Sequence, residues 1–67
     1  MSEVPEAAEA AAARLKAALA RHGITLPSLG AYPYLVGPQR TPMVELGGTT
    51  VEVARRLAEV LEELAAP

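Results

Sequence analysis

The tightest constraint on this chain is the stretch from Pro42 to Leu64. A short apolar run, two glycines, two threonines and an amphipathic period follow one another there without a gap. Val53, Ala54, Leu57, Val60, Leu61 and Leu64 recur three and four residues apart, the spacing that lines one face of an α-helix. The stripe is broader than a coiled-coil seam, so this helix is expected to bury a wide face. Glu52, Arg55, Arg56, Glu59, Glu62 and Glu63 take the opposite face. Thr49 is expected to cap the helix, with Glu52 three residues on completing a capping box. Glu52 and Arg56 stand four apart, in the favourable acid-before-base order. Just upstream, Met43-Val44-Glu45-Leu46 reads as a strand with Val44 and Leu46 facing inward. Gly47-Gly48 then turns the chain to lay the helix back over it.

What packs against that helix is limited by the rest of the chain. Sixty-seven residues make one small domain, and a chain of this size buries only about 60% of its unfolded surface. There is no cysteine, hence no disulfide and no thiolate metal site to compensate. Phe and Trp are absent, and much of the 51% hydrophobic content is alanine. Self-association is the remaining common remedy for so thin a core.

The first helix is expected to open at Ser2 or Val4, with Pro5 in its first turn. Glu3, Glu6 and Glu9 precede Arg14, Lys16 and Arg21, a charge order that follows the helix dipole. Gly23 suits the left-handed position after the last turn, and Ile24 can reach back to Leu19 to close a Schellman motif. The inward stripe is Ala8, Ala11, Ala12, Leu15 and Leu19, with Ala18 at its margin. Such small residues allow close approach of another helix but bury little area each. After a connection with a turn at Pro27 to Gly30, Tyr34-Leu35-Val36 reads as the first strand. It begins after Pro33, which has no N–H to give a ladder. Gly37-Pro38-Gln39-Arg40 is a turn with Pro38 at its second position, and 41–46 is the returning strand. The expected fold class is therefore α+β, a helix, a two-stranded antiparallel hairpin and a helix (αββα), completed by dimerisation. The whole chain, 1–67, makes one domain: helix one over 1–23, a connection over 24–33, the hairpin over 34–46 and helix two over 49–65.

No catalytic constellation emerges. His22 sits at a helix end, where its charged form suits the dipole, and no second histidine, cysteine or aspartate exists to share a metal or a proton with it. Gly47-Gly48-Thr49-Thr50 resembles a phosphate cradle in outline but lacks the lysine and length of a P-loop. A threonine-capped strand-to-helix turn needs the same residues for structural reasons. Glu59, Glu62 and Glu63 read as a solvated face. The expectation is no enzyme, no cofactor and no metal. A net charge of −2 argues against a phosphate-binding surface, which makes nucleic acid a disfavoured partner. The apolar runs are too short to span a membrane, and the acidic start lacks the apolar core of a secretory signal, so the reading is cytoplasmic.

The candidate interaction residues are Tyr32, Tyr34, Val53, Leu57, Val60, Leu61 and Leu64. Tyrosine is enriched at interface hot spots, but it fits a small core equally well, and both roles stay open for Tyr32 and Tyr34. The helix stripe is wider than the hairpin and the alanine-rich first helix can cover. The expected partner is a second copy of the chain, with a second regulatory protein beside it. The alternative is a small DNA-associated regulator that reaches DNA as a dimer through Arg40, or Arg55 and Arg56.

The runs Pro42 to Gly47 and Thr50 to Leu61 resemble the C-terminal half of short actinobacterial proteins of the streptomycete type. His22-Gly23-Ile24-Thr25-Leu26-Pro27-Ser28-Leu29 is similar to their middle. An Ala-, Arg-, Leu- and Pro-rich composition with glutamate and no aspartate suits such a high-GC source. The resemblance implies an accessory role beside helix-turn-helix regulators or kinase-like ATPases. It carries no site residues.

Overall fold

The computed structural model describes residues 4–66. Helix α1 spans Glu6–Ala20, strand β1 Gly30–Ala31, strand β2 Val44–Glu45 and helix α2 Val51–Ala65, an αββα chain of α+β class. Ser2, one of the expected helix openers, lies outside the described residues. Pro5 is the N-cap rather than a first-turn residue. Its backbone is extended, and its carbonyl accepts from the Ala8 and Glu9 N–H groups, both at 3.1 Å. The C-terminal stop is the expected one. Gly23 has φ +69°, Ile24 N–H donates to the Leu19 carbonyl and Gly23 N–H to that of Ala20, both at 3.0 Å. Ile24 and Leu19 then meet in the core.

The hairpin forms, but its ladder starts earlier than Tyr34-Leu35-Val36. Gly30 pairs with Glu45 and Ala31 with Val44, and Tyr32 N–H extends the ladder to the Met43 carbonyl at 3.0 Å. Pro33 then interrupts it, having no N–H to donate. Pairing resumes at a single bridge, Val36 with Thr41, whose two bonds measure 2.9 and 2.8 Å. Between the paired sites one arm takes five steps (31 to 36) and the other three (44 to 41), so two extra residues bulge out around Pro33 and Tyr34. The turn at the tip lies where expected, with Arg40 N–H donating to the Gly37 carbonyl at 3.0 Å.

Helix α2 begins one residue later than the Thr49 capping box implies. Thr50 is the N-cap, and its Oγ1 accepts from Val53 N–H at 3.1 Å. Glu52 therefore sits too close to the cap to reach back across it. Gly47 accounts for the shift. It turns the chain at φ +74° with its N–H on Glu45 Oε1 at 3.1 Å, and Thr49 is spent in the extended approach to the helix. On the polar face, Arg56 turns to Glu59 at 3.7 Å instead of back to Glu52, an exposed pair that contributes little.

Leu19, Ile24, Leu29 and Val60 form the buried core, with Leu15, Leu26, Val44, Val53 and Leu57 packed against it. Ala8 and Ala12 are buried as well, under the hairpin and not under a helix. Their short side chains let the backbones of α1 and the two strands come within 8 Å, Cα to Cα. Helix α2 makes no such approach to the other elements, so it does not lie back over β2. It reaches the core only through its larger side chains, Val60 above all.

Candidate functional site

Helix α2 sets the site because its stripe is only partly used. Val60 is 5% exposed and sits in the subunit core, which removes it from any surface open to a partner. Val53 and Leu57 are half-buried at the edge of that core. Leu61 is 57% exposed and Leu64 is 72% exposed, on the same side of the helix but beyond the reach of α1. A groove of about 320 Å³ runs between the two helices at this point. Leu57, Leu61 and Leu64 form one wall, with Leu15, Ala18 and His22 opposite and Leu26 and Leu46 at its ends. Nearly all of its lining is hydrocarbon, with the exposed His22 ring as the polar group at the rim.

Leu46 corrects the sequence reading. It was expected to face inward beside Val44, yet it is 52% exposed. Alternation fails because the strand ends at Glu45, and the turn at Gly47 swings Leu46 out of the sheet plane. Leu15, Ala18, His22 and Leu26 join the site without having been singled out as surface residues. The signal available was the spacing of Leu15, Ala18 and His22, three and four apart on one flank of α1.

Tyr32 and Tyr34 form a separate cluster that does not line the groove. Their rings stack obliquely, with centroids 5.7 Å apart and planes at 31°. Tyr34 is 61% exposed, while Tyr32 is half-buried. Tyr32 and Glu45 share the outer face of the hairpin as diagonal neighbours, across Gly30, which has no side chain to separate them. A hydrogen bond to the Glu45 carboxylate, followed by its negative charge, raises the Tyr32 phenol above 10.0. Glu45 thus serves two groups, the Tyr32 hydroxyl and the Gly47 N–H.

The Gly47 to Thr50 turn has its donors engaged internally. Glu45 takes the Gly47 N–H and Thr50 takes that of Val53, and the Glu45 carboxylate adds its own negative charge beside the helix start. Among the described residues, no three His, Asp or Glu side chains converge on a point that would hold a cation. No helix there is long and apolar enough to cross a membrane.

The outline of the molecule matches the open groove. Its radius of gyration is 13.9 Å, against about 11 Å for a compact chain of this length. Its accessible surface is 5316 Å², against about 4,000 Å² for a compact monomer of this mass. Comparison with protein-family models, with curated proteins and with solved structures finds no match.

Proposed function

We propose that this chain is a non-catalytic interaction module that works as a homodimer, with the groove between α1 and α2 as its contact surface. The observation that carries this reading is the cluster of Leu46, Leu61 and Leu64, all more than half exposed around one apolar groove. A contiguous apolar patch of this kind marks an interface in most soluble proteins. The surplus of accessible surface is of the order that a standard interface takes from each partner, about 800 Å². The dimer serves as an accessory in a regulatory system of the cytoplasm. The likeness of the C-terminal half to short proteins that accompany regulators supports that placement. Sedimentation equilibrium between 1 and 500 µM, concentrations on the order of those at which modest interfaces form, tests the reading. A dimer in the micromolar range is expected, and a folded monomer throughout would overturn it. A gel shift at two salt concentrations checks the DNA-associated alternative, since phosphate contacts weaken steeply with salt.

A further inference from the structure

Within the dimer reading, on which this step rests, the order of residues along α2 selects one orientation for the partner helix. The exposed apolar strip is small at its N-terminal half, with Ala54 and Ala58, and large at its C-terminal half, with Leu61 following Leu57. On the solvent flank of that strip lie Arg55 towards the start and Glu62 towards the end, both exposed. They stand two turns apart, and neither has the other within reach along its own helix.

We infer that the groove is filled by α2 of a second copy running antiparallel, about a two-fold axis near Ala58. In this arrangement Leu61 of one copy packs near Leu57 of the other, and Ala54 faces the bulky end of the partner strip. Arg55 comes opposite the partner copy's Glu62, and by symmetry the pair occurs twice. The two helix dipoles oppose each other, which is their favourable alignment. A parallel two-fold pairing would instead set Arg55 against Arg55 and Glu62 against Glu62. It would also put leucine against leucine and alanine against alanine, leaving a crowded end and a hollow one.

The test is charge reversal followed by sedimentation equilibrium on the full chain, with circular dichroism to verify folding. Arg55→Glu and Glu62→Arg should each weaken dimerisation by about tenfold, since each turns two exposed attractions into repulsions. The double variant Arg55→Glu/Glu62→Arg should regain the parental constant, because the pair is restored in swapped order. A dimeric parent whose constant is untouched by either single change would overturn the antiparallel orientation and leave the dimer reading intact. Single changes that weaken without rescue in the double variant would also overturn it. A parent that stays monomeric would overturn the dimer reading itself.

Discussion

An alanine at Gly47 would have to hold a backbone φ of +74° and seat its Cβ against the side chain of Ser28. The first demand costs an L-residue about 1–2 kcal/mol, and the second forces the β2–α2 turn away from the loop that carries Ser28. Gly47→Ala should therefore destabilise the fold by roughly 1–3 kcal/mol, read as a lower chemical-denaturation midpoint. Gly48→Ala is the control, since its added Cβ meets nothing within 4 Å. The neighbouring Glu45 makes a second residue-level prediction. With Tyr34 replaced by Phe, Tyr32 is the chain's sole phenol, and its ultraviolet titration should centre above 10.0. Glu45→Gln removes the charge and weakens the hydrogen bond, so the midpoint should fall towards 10.0. The raised value means that folding favours the neutral phenol. The contribution to stability is therefore complete below pH 10 and is lost as the pH climbs through the folded-state value. A midpoint that ignores Glu45→Gln would break the link between the two side chains.

Among the elements, α2 tests where a helix begins. Thr50→Ala should cost about 0.5–2 kcal/mol by freeing the Val53 N–H, whereas Thr49→Ala should stay within about 0.5 kcal/mol. Equal losses from both would mean the cap is shared. The same helix shows how far local pattern reaches. Its period, the glycine stop of α1 and the turn at Gly37 to Arg40 were all legible, because each is settled by residues within five positions of one another. The placement of the first strand was not legible. Propensity favours Tyr34-Leu35-Val36, but ladder position depends on which residues lie opposite Val44 and Glu45, and Pro33 moves the paired run to Gly30–Ala31. The alanine face of α1 was legible as a surface for close approach. That a strand backbone and not a helix takes it is a long-range matter. Leu46 failed for a related reason, since strand alternation holds only as long as the strand continues. Leu61 and Leu64 were correctly singled out. Val60, on the same stripe, was not separable from them, because which part of a broad stripe turns inward is decided by where α1 sits.

At the scale of the whole molecule, the question is what four buried core side chains and two buried alanines can support alone. Leu61 separates folding from association because it stands 57% exposed and faces the groove, not the core. In a monomer, a glutamate there would lie in water beside Glu62 and cost little. In a dimer the same carboxylate would be taken out of water without a cation opposite it, a burial that costs several kcal/mol unless the group takes up a proton. Leu61→Glu should therefore abolish dimerisation at micromolar concentration while the helical circular dichroism signal of the subunit persists. Its melting temperature should no longer depend on concentration, whereas that of the parent should rise with it, because association stabilises by mass action. Val60→Ala is the counterpart. It empties space in the subunit core, so it should lower the melting temperature at every concentration, by the 0.5–3 kcal/mol typical of core truncation. If Leu61→Glu instead unfolds the chain at all concentrations, as Val60→Ala weakens it, then Leu61 belongs to the subunit core. The wet groove would then close within one molecule, not between two.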